Sequence, residues 1–166
     1  MSRDRLVWLV PILLALHQAE EAMFFPRYLP FVLSRLPRGW QVVAGAVTAG
    51  QVRIALVIVT VLAVVIAWWS HRRPESRAAL WALLLVQATM LANAVWHVGA
   101  AVVLFRGYAP GVVTAVLLTL PFSIYLLRRA VREQVLSPPA LWALLPAAIV
   151  VHGPLLSALL LATERI

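Results

Sequence analysis

Apolar residues run almost unbroken through five stretches of the chain, approximately Leu6 to Phe25, Val52 to Trp69, Ala78 to Phe105, Gly111 to Leu127 and Ala140 to Ala162. Crossing a hydrocarbon core of about 30 Å takes roughly 20 such residues in a helix, so each stretch qualifies as a span. Proline and arginine punctuate them. Pro26-Arg27 closes the first, His71-Arg72-Arg73-Pro74-Glu75 separates the second from the third, and Arg128-Arg129 closes the fourth. The pattern predicts an all-α integral membrane bundle of about five transmembrane helices, a single domain over residues 1–166. The segment from Tyr28 to Gly50 mixes Pro30, Arg35, Pro37 and Arg38 with Phe31, Leu36 and Trp40. It reads as interfacial, with a re-entrant loop as the alternative, because a sixth span would bury Arg35 and Arg38.

Composition agrees with this reading. The chain is 63% hydrophobic and 12% charged, with mean hydropathy +0.93, whereas soluble domains are about 25% charged. The net charge of +8 comes from arginine alone, and the arginines lie between apolar runs instead of in one block. They read as interface anchors and topology signals, which argues against a nucleic-acid partner. No cysteine is present, so neither a disulfide framework nor a thiolate metal site is available. The residues after Leu16 are His, Gln, Ala, Glu and Glu, a poor context for signal cleavage, and the first span is expected to be retained. Five spans put the termini on opposite sides. Arg3, Arg5, Arg72, Arg73, Arg77, Arg128, Arg129 and Arg132 then share the amino-terminal side, against Arg27, Arg35, Arg38, Arg53, Arg106 and Arg165 opposite, which favours a cytoplasmic N-terminus in a bacterial cytoplasmic membrane.

The chemistry lies where polar residues interrupt the spans. The first carries His17-Gln18-Ala19-Glu20-Glu21, and helical spacing sets His17 beside both glutamates. The third carries Gln87, Thr89, Asn93 and His97, with Thr89, Asn93 and His97 recurring every four residues on one face, and the fifth carries His152 before Gly153-Pro154. At 1.5 Å per residue, His17 lies about 17 Å into its span, Glu21 about 23 Å, Asn93 about 23 Å, His97 about 29 Å and His152 about 18 Å. A one-turn offset of the long third span brings these groups to a common layer, past the midplane. Taken singly, His152 and Asn93 have a plain reading as interhelical hydrogen-bonding groups, and His71, beside two arginines, reads as a solvated loop residue. The adjacent Glu20 and Glu21 do not, because two carboxylates in hydrocarbon require a proton, an arginine or a cation.

His17-x-x-Glu20-Glu21 in a first hydrophobic span resembles the signature of the HXXEE family of small bacterial membrane proteins. Asn93-x-x-x-His97, then Tyr108-Ala109-Pro110-Gly111 with Thr114, then His152 fit the same resemblance. It implies a membrane-embedded site at these residues. The family carries no established activity, so the reaction has to be argued from the side chains.

Imidazole and carboxylate are ligands for zinc, iron or manganese, and a divalent cation would neutralise the glutamate pair. The first expectation is therefore a membrane-embedded metal-dependent enzyme acting on a lipid or another hydrophobic small molecule. His17, Glu21, His97 and His152 are its expected ligands to zinc or iron, Glu20 with Glu21 its catalytic carboxylates, and Asn93, Trp96 and Tyr108 its substrate contacts. The loop from Arg106 to Gly111 is expected at the mouth of the site. A metal-free alternative is an acid–base isomerase or cyclase for an isoprenoid or sterol-like substrate, with a protonated glutamate as acid and Trp96 stabilising a carbocation. A third reading is non-catalytic, a proton or ion relay or a ligand-binding subunit; a homo-oligomer would suit it best, since the chain shows no internal repeat.

Overall fold

In a computed structural model, which describes residues 3–35 and 47–162, the described residues are helical apart from short connections. Five helices are long and apolar enough to cross a membrane. We label them α1 (Arg3–Arg35), α2 (Ala49–Arg72), α3 (Arg77–Phe105), α4 (Val112–Arg132) and α5 (Pro138–Leu160). Their starts are set by side chains that satisfy the free N–H groups of a first turn. Thr48 and Gln51 form a reciprocal capping box at α2, Ser76 caps α3, and Ser137 caps α5 ahead of Pro138.

The expected break after Phe25 does not occur. Helix α1 continues through Pro26 and Pro30 to Arg35, so residues 28–35 of the segment read as interfacial belong to the first helix. Proline is tolerated there because neighbouring structure re-satisfies the freed carbonyls. A row of aromatic contacts also holds the extension in place: Phe24 and Tyr28 pack on Tyr108, and Tyr28 and Phe31 pack on Phe105. The rest of that segment, residues 36–46, lies outside the described residues.

Two apolar clusters hold the bundle. Val7, Val10 and Leu14 of α1 meet Ala63 and Ala67 of α2 and Leu83 and Met90 of α3. On the other flank of α3, Leu84 and Ala88 meet Leu127 and Ala130 of α4 and Leu144 and Ala148 of α5. Alanine at these contacts lets backbones approach closely, the main source of attraction between helices in lipid. Polar pairs fix register: Gln87 donates to Ser123 at 2.5 Å between α3 and α4, and Thr60 of α2 pairs with Gln18 of α1. His71 lies 3.3 Å from Asp4, which sets the end of α2 beside the start of α1.

Three π-helical stretches, Ala101–Phe105, Ala115–Thr119 and Val151–Leu155, widen α3, α4 and α5. Pro121 and Pro154 explain the last two, since each lacks an N–H and its ring collides with the carbonyl four residues before it. The first ends where Arg106 turns left-handed, at φ 50, and its N–H returns to the Ala101 carbonyl. Such bulges occur often at functional sites, and all three lie close to the polar cluster in sequence.

Candidate metal centre

His17 and Glu21 are one turn apart on α1, and His97 reaches them from α3. One ligand atom from each of the three lies within 4.8 Å of the others, an arrangement that could hold a metal ion. His17 is fully buried and His97 nearly so. The His97 Nε2 atom stands 3.0 Å from Glu21 Oε1, yet it is buried without a hydrogen-bond partner. The two atoms are close but not aligned on each other. That is the geometry of ligands aimed at a shared point, since a donor and acceptor bonded to each other would be nearly collinear through the hydrogen. The His17 and His97 rings meet edge to face with centroids 4.9 Å apart.

Glu20, one residue from Glu21, faces a different set of partners. Its carboxylate accepts from the Tyr108 hydroxyl at 2.9 Å, the Val113 N–H at 3.2 Å, the Thr114 N–H at 2.8 Å and the Thr114 hydroxyl at 2.6 Å. The negative group thus caps the start of α4, where free N–H groups and the helix dipole favour it. Tyr108 is correspondingly held in its protonated form: burial first, then the bond to Glu20, push its phenol well above the ordinary tyrosine range.

Thr114 links this anchor to the cluster. Its hydroxyl donates to Glu20, so it accepts from His17 Nδ1, 2.9 Å away. The donor network thereby assigns the hydrogen to Nδ1 and leaves the Nε2 lone pair facing Asn93 Nδ2 at 2.7 Å and Glu21 at 3.8 Å. An outer partner that fixes a histidine tautomer is a recurring support of metal ligands.

Gly111 closes the site from the loop side. At φ +86, a side chain there would be strained. An added Cβ would also lie 2.9 Å from His97, 3.0 Å from Glu21 and 3.0 Å from His17, so the bare backbone is packed against all three candidate ligands.

The structure therefore brings together His17, Glu21, His97 and Asn93, with the loop from Arg106 to Gly111 above them. His152 is close enough to interact electrostatically with Glu21 and His97 but falls outside the tight group of three. Glu20 points away from that group, and Tyr108 is engaged with Glu20. Trp96, expected at the substrate, is 60% exposed on the outer surface of α3, because successive helical residues diverge by about 100° and His97 takes the inward direction. Thr89 bonds back to the Leu85 carbonyl of its own helix. Gly111 and Thr114 were not among the expected site residues. Their signal was the Gly-to-Thr step at a helix start, readable only once its position opposite His17 is known.

Residues 8–126 match the family described as "Protein of unknown function with HXXEE motif". The chain belongs to the HXXEE family. It is also 30% identical over 110 residues to "Uncharacterized protein YrkK" of Bacillus subtilis (strain 168), a match spanning 66% of this chain and 65% of that protein. No solved structure matches.

Proposed function

We propose that this HXXEE protein is a membrane-embedded metal-dependent enzyme, with His17, Glu21 and His97 as metal ligands and a lipid or other hydrophobic small molecule as substrate. The supporting observation is the His97 Nε2 atom, buried beside Glu21 without hydrogen-bond alignment. Two histidines and one carboxylate form the ligand set of catalytic zinc sites and of non-haem iron sites, each of which keeps a position open for water or substrate. Such a metal supplies Lewis acidity or an activated water at neutral pH. The chain's own residues orient and seal: Glu20 and Thr114 hold His17, Gly111 excludes water from above, and Asn93 lies beside the His17 lone pair, where it can contact a substrate. His152 is placed to join as a further ligand. Burial in the bundle gives a bilayer-soluble substrate the shortest approach. We place the protein in a bacterial cytoplasmic membrane with its N-terminus in the cytoplasm, from the arginine distribution.

The metal-free isomerase reading has less support. Four donors converge on Glu20, an arrangement suited to a carboxylate and not to a proton donor, and Trp96 faces outward. Metal analysis of protein purified in mild detergent tests the proposal. Near-stoichiometric zinc or iron in the wild type, lost in His97→Ala and kept in Glu20→Gln, is the expected result. Active protein that holds no metal and resists chelators would overturn it.

A further inference from the structure

A groove of about 410 Å³ runs between α1 and α2, lined by Ala15, Gln18, Ala19 and Ala22 on one side and by residues from Arg53 to Val61 on the other. Its volume is that of a small-molecule site. At about 100° per residue, its α1 residues lie on the face turned away from His17, Glu20 and Glu21, so the groove is separate from the candidate metal centre.

Two polar groups break its apolar lining. Arg53 is exposed, sits in the early turns of α2, and has no carboxylate partner among the described residues. Because the other end of α2 meets Asp4, Arg53 belongs to the membrane face opposite the start of α1, at headgroup level. Gln18 is only 7% exposed. Its Oε1 accepts from the Thr60 hydroxyl, and its amide N–H groups have no partner within the protein. Thr60 is seven residues beyond Arg53, about 10 Å deeper along the helix.

We propose that this groove binds one anionic glycerophospholipid, with its phosphate on Arg53, an ester carbonyl accepting from the Gln18 amide, and an acyl chain along Ala15, Ala19 and Ala22. An unpaired arginine at the interface attracts an anionic headgroup. A buried amide donor requires an acceptor. An ester-linked phospholipid meets both requirements at two depths, whereas a fatty acid offers no acceptor below its own carboxylate. The three alanines leave the width that a chain needs.

Native mass spectrometry of the full chain, released from mild detergent, tests this with added phosphatidylglycerol and phosphatidylcholine. The wild type should retain phosphatidylglycerol about fivefold over phosphatidylcholine, the increment of one interfacial arginine. Arg53→Gln should abolish that preference, and Arg128→Gln, remote from the groove, should keep it. Ether-linked phosphatidylglycerol, which lacks the ester carbonyl, should be held less well by the wild type, and Gln18→Leu should erase the ester–ether difference. Oleate should not displace the phospholipid. Equal retention of the two headgroups by the wild type, or preference surviving Arg53→Gln, overturns the proposal. So does a dimer mass in place of the lipid adduct, which would assign the groove to a second copy of the chain. The wild-type headgroup and ether comparisons decide the question even if a variant fails to fold.

Discussion

The Thr114 hydroxyl lies 2.9 Å from His17 Nδ1, tying the first turn of α4 to the middle of α1. Thr114 also donates to Glu20, so this one side chain sets both the ring orientation and the tautomer of His17. Thr114→Val keeps the shape and removes the hydroxyl, and should weaken metal binding by about 10- to 100-fold. Thr114→Ser should restore it. A chelator-competition titration of both variants measures the difference, and equal affinities for valine and serine would remove Thr114 from the site.

Gly111→Ala should be more damaging than its size suggests. The left-handed backbone and the contacts with three candidate ligands together imply a loss of about 1–3 kcal/mol, with metal content falling at the same time. Gly99→Ala is the matched control, since nothing lies within 4 Å of an added Cβ there. Thermal unfolding in detergent should show a lowered midpoint for Gly111→Ala alone.

Tyr108→Phe removes one of the four donors to Glu20. A hydrogen bond to a charged acceptor contributes about 1.5–3 kcal/mol, so stability should fall while metal content is retained. The pH dependence has a definite sign. The folded-state phenol is raised above its ordinary value by burial and by Glu20, so its contribution is complete below the unfolded tyrosine value of about 10 and is lost as pH rises beyond it. Unfolding titrations should show that alkaline loss in the wild type and a smaller one in Tyr108→Phe.

Topology can be tested on a background free of native cysteine. Pro74→Cys, between α2 and α3, and Gly107→Cys, between α3 and α4, should react with a membrane-impermeant maleimide from opposite sides. Labelling of both from one side would contradict five alternating spans.

The spans were legible in the sequence because bilayer thickness imposes a length that few other constraints mimic. His17, Glu21, Asn93 and His97 were legible for a related reason: ionisable or amide groups at that depth need partners, and the helical period says which faces they share. The extension of α1 past Pro26 was not legible, because local sequence reads proline as a stop and cannot see Phe105 and Tyr108 arriving to hold the next two turns. The separation of Glu20 from Glu21 was equally hidden. Adjacent carboxylates point about 100° apart on a helix, and which of them meets the histidines depends on where α4 begins. The contribution of Gly111 is made by what it lacks, so no functional group in the sequence announced it.

The π-helical stretch Ala115–Thr119 has a consequence for the kinds of change the chain can absorb. A wider turn accommodates one more residue without breaking the helix, so it behaves as an inserted residue stored in place. Deleting any one residue between Thr114 and Ser123 would let α4 regain regular α geometry, and everything beyond would rotate by about 100°. Ser123 would then leave Gln87, and Leu127 and Ala130 would leave the contact with α5. In that stretch the number of residues is under tighter constraint than their identity.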